Sequence, residues 1–233
     1  MMGKDYILPN YRRVTLENYS GLYEDVYNNY FVSQSLTTII YEGAAIYYEL
    51  GENSKGIRIV IFTNAYCGIG NNLSTANTFI NVWFGANVRF KNSISVIKAR
   101  IFVTAFSDLY IGNDVMMSDE EMIYTGDGHA IFEMQEDGKY KHVNECTNDK
   151  IVIGEHVWIG YACKILNGAR IGDGSIIGAG SLVNKKFPNN VVIVGSPAKV
   201  VRKNIAWTRN VLIQELERDE YVYKNYANKT VIE

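Results

Sequence analysis

Residues 153–188 read IGEHVW IGYACK ILNGAR IGDGSI IGAGSL VNKKFP, six consecutive units of six residues. An aliphatic side chain opens every unit, at Ile153, Ile159, Ile165, Ile171, Ile177 and Val183. Six residues turn an α-helix by about 600°, so these side chains would scatter around a helix, but a strand's period of two keeps them on one side. The fifth residue of the first five units is small or compact, and glycine follows the aliphatic residue in four units. The stretch therefore predicts short strands joined by tight bends.

The same six-residue register extends backwards along the chain and then breaks. It passes through Ile123, Met117 and Ile111. Six residues after Ile123, at the next position of the register, stands His129. Beyond His129 the register meets polar residues at positions 135, 141 and 147, which could not fill an apolar core, and it returns only at 153. We therefore expect residues 130–150, which are rich in charge, to form a loop extruded from the coil, and loops on regular scaffolds often carry function.

The rest of the chain divides into three predicted regions. Residues 1–50 hold nine of the 17 tyrosines and no visible hexads, and we interpret them as a cap on the open end of the coil. Residues 51–203 form the coil, in which weaker sixes at Val82, Val88 and Ile94 are out of phase with the later ones. Residues 204–233 form a C-terminal helix and tail, the helix running from Asn204 to about Tyr226.

Composition limits the possible partners and compartments. The net charge is -2 and the pI is near 6.0, so no basic field would draw the protein onto nucleic acid. Three cysteines match neither a disulfide framework nor a zinc motif, which favours a reducing cytoplasm. The sequence shows no signal peptide and no apolar run of membrane-spanning length, so we expect a soluble protein.

Four blocks of sequence resemble the hexapeptide-repeat acyltransferases, and among these they are most similar to bacterial capsule and polysialic acid O-acetyltransferases. The blocks are IGNDVM at 111, GDGH at 126, IGEHVWIG at 153 and VGSPAKVVRKNIAW at 194. The resemblance implies an all-β fold, a left-handed parallel β-helix with an extruded loop and a C-terminal α-helix. It also implies a homotrimer with active sites between subunits. The implied activity is transfer of acetyl from acetyl-CoA to a hydroxyl of a cell-surface polysaccharide or its sugar, such as a capsule, a sialic acid polymer or a lipopolysaccharide.

His129 is the predicted catalytic base. A hydroxyl is a weak nucleophile at neutral pH, so its attack on a thioester needs a group that accepts the proton, and histidine commonly does this. A lone histidine is by default structural or solvated, but this one stands where the repeat breaks and matches the family's catalytic histidine. Asp127 or a nearby backbone carbonyl would orient its ring. The family usually has proline after the histidine, where this chain has Ala130.

Other candidate residues carry less specific signals. Trp158 precedes the inward Ile159, so strand alternation predicts that it points outward, and the resemblance places it at the active site beside the thioester. His142 lies in the polar loop and is a candidate for acceptor binding. His156 occupies an ordinary position within a hexad and is interpreted as a surface residue. Zinc held between subunits by the three histidines, as in related carbonic anhydrases, fits their spacing poorly, so we expect no metal.

The resemblance also supplies candidate contacts for CoA. Tyr161 and Ala179 match positions that offer backbone groups to the pantetheine arm, and Asn184 with Lys185 match positions further along the cofactor. Lys199 and Arg202 match basic residues that face the phosphates, which suits their charge and multiple donors. A solvated basic face is the alternative interpretation of these lysines and arginines.

Two other functions remain open at this level. An N-acetyltransferase for an amino sugar would share the scaffold and the CoA site. A non-catalytic β-helix that serves as a scaffold would need neither the GDGH block nor thioester chemistry. The sequence separates these alternatives from O-acetylation through resemblance alone.

Overall fold

The structure, a computed structural model, describes residues 11–15, 20–24, 36–41, 45–49, 57–62, 64–70, 73–144 and 150–227, with the first four segments described as backbone. Its regular elements are nearly all strands, wound into a β-solenoid of about six turns. In chain order the strands are β1 Tyr11–Thr15, β2 Ser20–Glu24, β3 Leu36–Tyr41, β4 Ala45–Glu49, β5 Ile57–Ile61, β6 Tyr66–Ile69, β7 Ser74–Val82, β8 Asn87–Phe90, β9 Ser95–Val103, β10 Asp108–Ile111, β11 Met116–Met117, β12 Glu121–Tyr124, β13 Phe132–Met134, β14 Tyr140–His142, β15 Lys150–Ile153, β16 Trp158–Ile159, β17 Lys164–Ile165, β18 Arg170–Ile171, β19 Ile176–Ile177, β20 Leu182–Val183, β21 Lys186–Phe187, β22 Val192–Gly195 and β23 Ala198–Arg202. The all-β class and the parallel β-helix are confirmed.

Three faces form the wall of the helix. The first face stacks β6, β8, β10, β15, β18 and β21 in parallel. The second stacks the beginning of β9 with β11, β16, β19 and β22, and the third stacks the end of β9 with β12, β17 and β20. β23 folds back antiparallel on β22 and closes the second face.

The six-residue register predicts the core correctly. Ile111, Met117 and Ile123 are buried, one on each face, and they pair with Ile153, Ile159 and Ile165 of the next coil. The succeeding aliphatic residues of the repeat are buried in the same columns, at Ile171, Ile177 and Val183. One continuous apolar core therefore runs along the axis.

The length of each coil explains why the earlier six-residue repeats are out of register with the later ones. Val82, Val88 and Ile94 are buried as predicted. Residues that pair in these coils are mostly 21 positions apart, whereas those that pair from β15 to β18, β16 to β19 and β17 to β20 are 18 apart. The extra residues lie between the third face and the next first face, where ten positions separate Ile101 from Ile111, whereas six separate Ile165 from Ile171. The shift of register follows from this added length.

Outside the regular coils lie a hairpin and a C-terminal segment. The extruded loop is present, with β13 and β14 paired antiparallel and exposed throughout. β3 and β4 pair in parallel with β5 and β6, so both sheets cross residue 50, and the predicted division there stays a prediction.

The helix predicted from Asn204 to Tyr226 is shorter than expected. Only a 3-10 turn, η1 (Leu216–Arg218), and a helix, α1 (Glu220–Asn225), are helical. Asp219 begins α1, because its side chain accepts a hydrogen bond from the Val222 N–H. The residues from 204 to 215 form no helix, and among them Trp207 is buried whereas Val211 and Leu212 are exposed. None of the helices that the structure describes is long and apolar enough to cross a membrane.

Candidate active site

His129 lies where the chain leaves the regular coil. β12 ends at Tyr124, and the next strand of the wall, β15, begins only at Lys150. The turn between them contains Asp127 and His129, both exposed to solvent. Gly128 between them has a φ of +76°, a left-handed conformation that a side chain would strain. The GDGH block therefore forms a tight, exposed turn with a histidine at its end.

Asn144 closes this turn from the other end of the loop. Its amide nitrogen donates to Oδ2 of Asp127 at 2.7 Å and to the carbonyl of His129 at 3.0 Å. Its amide oxygen accepts from the Ile131 N–H at 2.6 Å. One side chain thus holds both sides of the His129 backbone in place. No sequence pattern indicates this role, because Asn144 is one polar residue among many in the loop.

His142 lies on the hairpin, away from the turn. It is the cross-strand partner of Phe132, and the two ring centroids are 5.3 Å apart. Both side chains are exposed. Contact between His142 and an acceptor stays a prediction.

His156 is buried, so its interpretation as a surface residue was wrong. Its ring lies between the rings of Trp207 and Tyr226, with centroids 4.0 Å and 4.3 Å away and nearly parallel planes. Its Nδ1 lies 2.6 Å from Oδ2 of Asp114, and its Nε2 lies 2.8 Å from the carbonyl of Trp207. Trp207 donates in return from Nε1 to the carbonyl of His156. The hexad pattern missed this residue because its contacts come from the C-terminal segment.

The carboxylate of Asp114 links this cluster to Arg209. Burial raises the pKa of Asp114, but the hydrogen bond from His156 and the guanidinium of Arg209 lower it, and the net shift is downward. The Nε of Arg209 donates to Oδ1 of Asp114 at 2.8 Å. The cluster therefore attaches the C-terminal segment to the coil through ring stacking and an ion pair, and it is distinct from the His129 turn.

Trp158 points outward from the second face, as strand alternation predicts. Its side chain is 40% exposed, whereas Ile159 is buried. The indole borders a cavity of about 530 Å³, which is also lined by Ile97 and Met116. Trp158 and His129 lie on different parts of the coil, one on the second face and the other beyond the third. His129 is not among the residues that line the cavity beside Trp158.

The predicted CoA contacts fall into three groups. Tyr161 and Ala179 are exposed in successive coils at the corner after the second face, where the Gly180 N–H donates to the carbonyl of Tyr161. Asn184 and Lys185 are exposed at the next corner. Lys199 and Arg202 are exposed on β23.

One outward column connects two of the residues assigned to the site. On the second face Trp158 pairs with Ile176, Ile176 with Val192, and Val192 with Arg202. Neighbouring strands are about 4.8 Å apart, so three steps separate Trp158 from Arg202 by roughly 15 Å.

The buried thiols are poor candidates for a covalent mechanism. Burial, and next to it the carboxyl of Glu121, raises the pKa of Cys163 to about 11. Burial raises the pKa of Cys67 to about 12. A cysteine nucleophile acts as its thiolate, which both sites disfavour. In the described part of the chain no three histidine, cysteine or acidic side chains are grouped as ligands for a metal.

Comparison with known proteins relates the coil to transferases. Residues 150–185 match the family model for the bacterial transferase hexapeptide (six repeats). The chain is 35% identical over 135 residues to a galactoside O-acetyltransferase of Lactococcus lactis, covering 58% of this chain and 62% of the relative. It is 32% identical over 128 residues to the polysialic acid O-acetyltransferase of Escherichia coli, covering 55% and 40%. The chain thus spans less than two thirds of the length of either relative.

Two solved structures share the architecture. The polysialic acid O-acetyltransferase OatWY has a TM-score of 0.62 at 23% identity, covering 73% of this chain and 90% of its own. The polysialic-acid-specific acetyltransferase NeuO has a TM-score of 0.56 at 22% identity, covering 83% and 92%. These likenesses show the fold. The repeat segment of this chain is therefore similar to the bacterial transferase hexapeptide, and it is carried on the β-helix fold that these two structures share.

Proposed function

We propose that this protein transfers an acetyl group from acetyl-CoA to a hydroxyl of a cell-surface polysaccharide or of its component sugar. The observation that carries the proposal is the exposed His129, held by Asn144 in the turn where the chain leaves the coil. Relatives named as galactoside and polysialic acid O-acetyltransferases support the same chemistry. Capsule, sialic acid polymer and lipopolysaccharide are the acceptor classes that we propose.

In the proposed reaction His129 acts as the general base. The acceptor oxygen attacks the thioester carbonyl while the imidazole takes its proton. The tetrahedral intermediate then collapses, the C–S bond breaks, and the CoA thiolate takes the proton back from the imidazolium. Asn144 contributes by fixing the turn, because a base must lie within hydrogen-bond reach of the hydroxyl.

Acetyl-CoA would lie along the outward column of the second face. Trp158 would border the thioester, and Arg202 with Lys199 would meet the phosphates some 15 Å away, a span suited to an extended pantetheine arm. Exposed cations and backbone groups are suitable contacts for such a ligand. Tyr161 and Ala179 would contact the arm, and Asn184 with Lys185 would contact the cofactor further out.

A homotrimer would complete the site. His129 and Trp158 belong to different faces, so a neighbouring subunit would bring the base of one chain to the thioester on the other. Two described cysteines are free thiols, which together with the use of acetyl-CoA supports the cytoplasm as the compartment.

The proposal is tested by supplying isotopically labelled acetyl-CoA with capsule and lipopolysaccharide fragments, and with matched sugars that carry either a hydroxyl or an amine at one position. We expect label on the carbohydrate as an ester that mild base removes, with release of CoA thiol that depends on the acceptor. Label found only on the amine would establish an N-acetyltransferase instead. Thiol release at the same slow rate with and without every acceptor would contradict the proposal.

A further inference from the structure

A pocket on the third face combines arginines with aromatic rings. It has a volume of about 380 Å³. We call it the third-face pocket, and its lining residues are Arg58, Asn77, Thr78, Phe79, Lys98, Ala99, Arg100 and Phe102. Arg58, Phe79 and Arg100 form one outward column in successive coils. The alternate side chains Ile80 and Ile101 fill the core, so the pleat turns the side chains of this column outward, where both arginines are exposed and Phe79 is half-buried.

The pocket is a local concentration of positive charge on an acidic chain. The net charge of the whole sequence is -2, yet three cations line this surface. Lys98 is paired with Glu120. Arg58 lies over the ring of Phe79, 5.4 Å from its centroid, and within the described residues neither Arg58 nor Arg100 makes an ion pair. Arg100 also acts electrostatically on the carboxylate of Glu120, so this surface carries one acidic group beside its three cations. The guanidinium groups of Arg58 and Arg100 have no direct carboxylate contact within the described residues and can pair with an anion.

Aromatic rings continue from the pocket toward the His129 turn. Phe79 and Phe102 meet edge to face at 5.4 Å, and Phe102 stacks on Tyr124 at 4.7 Å. Tyr124 ends β12, the strand that leads into the turn, and the Thr125 N–H donates to the carbonyl of Phe102. Each step between coils is about 4.8 Å, so the rings rise from the pocket to the proposed base over a distance of a few sugar units.

We propose that the third-face pocket binds a carboxylated sugar of the acceptor polysaccharide. Arg58 and Arg100 would pair with the sugar carboxylate, since a guanidinium matches a carboxylate in charge and in the spacing of its donors. Phe79 and Phe102 would pack against the C–H face of the pyranose ring. The acceptor is then an acidic glycan, held below the turn while a hydroxyl of a neighbouring sugar reaches His129. This inference rests on the proposed function.

Two other occupants fit the pocket less well. A subunit contact here would bury unpaired guanidinium groups, which is costly unless the partner supplies carboxylates. The phosphates of CoA are assigned to Lys199 and Arg202 at the far end of the second face, and half-buried aromatic rings beside the cations suit a sugar ring better than a diphosphate.

Direct binding tests the inference. The double variant Arg58→Gln, Arg100→Gln is compared with wild type and with Arg170→Gln, an exposed arginine on the first face. The ligands are oligosialic acid and oligogalacturonate, each beside the same oligomer with its carboxylates reduced to alcohols, measured by calorimetry at low and high salt. We expect wild type and Arg170→Gln to bind at least one acidic oligomer more tightly than its reduced form. We expect the double variant to bind it about tenfold more weakly and with less salt dependence. Equal affinity for charged and reduced oligomers, no binding of either acidic oligomer, or unchanged affinity in the double variant would overturn the inference.

Acetyl-transfer kinetics separate this inference from the proposed function. The double variant should raise KM for the acidic acceptor about tenfold while kcat and KM for acetyl-CoA stay near the wild-type values. If the double variant transfers acetyl to a carbohydrate with an unchanged acceptor KM, the pocket does not bind the acceptor, and the proposed function is unaffected. Charge-selective binding without transfer to any acceptor would support the pocket and contradict the proposed function. A raised KM for acetyl-CoA would assign the arginines to the cofactor and overturn the inference.

Discussion

Glu121 is a carboxyl group turned into the core of the β-helix. It occupies the fifth position of its hexad, where the two coils above have the smaller Cys163 and Ser181. Its Oε2 accepts from the Cys163 N–H at 3.0 Å, and its Oε1 has no hydrogen-bond partner among the described residues. Burial raises its pKa to about 8, with a further rise from Asp119, while the bond from Cys163 acts in the opposite direction.

The stability of the fold should therefore fall as the pH rises from about 4.5 to about 8. The unfolded chain loses this proton near the ordinary pKa of 4.5, whereas the folded chain keeps it to about 8. Folding binds a proton between these values, so Glu121 favours the folded state at low pH and opposes it above pH 8. Glu121→Gln keeps the shape without the charge, and it should flatten this slope and stabilise the protein at pH 8.5 by on the order of 1–3 kcal/mol.

Chemical denaturation at several pH values measures this effect. Glu120→Gln is a matched control, because the neighbouring Glu120 is exposed and paired with Lys98, and it should leave the loss of stability toward high pH in place. A Glu121→Gln protein with the wild-type slope would show that this carboxyl is ionised in the fold.

Residues differ in how well the sequence predicts them. His129 could be found because it stands at the end of an apolar ladder whose next positions are polar. Asn144 could not, since its role depends on how a loop closes between two residues 15 positions apart, which no local pattern encodes. Glu121 and Cys163 meet across 42 residues of sequence, so their contact appears only when the coils are stacked.

At the scale of elements, the C-terminal segment is bound to the coil through Trp207. Its ring stacks on His156 at 4.0 Å and lies 5.8 Å from the ring of Trp158. The loosely helical spacing in this segment predicted a longer helix than the one that forms. Tertiary contacts decide the outcome, because the buried indole packs on the coil and the 3-10 turn begins without a side-chain cap at Glu215. The same contacts give a physical role to the tryptophan of the block at 194.

Removal of this indole should destabilise the protein and disturb its active face. Trp207→Ala should lower the free energy of unfolding by about 3–5 kcal/mol, the usual loss for a buried large aromatic side chain. Val211→Ala is the control in the same segment, where the side chain is 92% exposed, and it should change little. Thermal and denaturant unfolding measure both, and a loss below about 1 kcal/mol for Trp207→Ala would mean that the segment is held elsewhere.

At the scale of the whole molecule, the repeat specifies the three faces of the β-helix, and the proposed base lies where the repeat is interrupted. The hexads predict three faces and one continuous core, because each aliphatic residue must stack on its counterpart in the next coil. Handedness and subunit contacts are not contained in that spacing, and the resemblance supplied them. The third-face pocket also could not be predicted from the sequence. Arg58, Phe79 and Arg100 are spaced 21 residues apart, and they become neighbours only because each coil there is 21 residues long.

The most direct test of the account is acetyl transfer by His129→Ala, measured on a protein shown by light scattering to be a trimer near three times 26.3 kDa and by calorimetry to bind CoA. The ring is exposed, so its removal should leave folding and CoA affinity unchanged. Without a proton acceptor for the hydroxyl, kcat should fall by roughly 10²- to 10⁴-fold. Near-normal turnover by a folded, CoA-binding His129→Ala trimer would contradict the assignment of the base, and His142 would be the next residue to test.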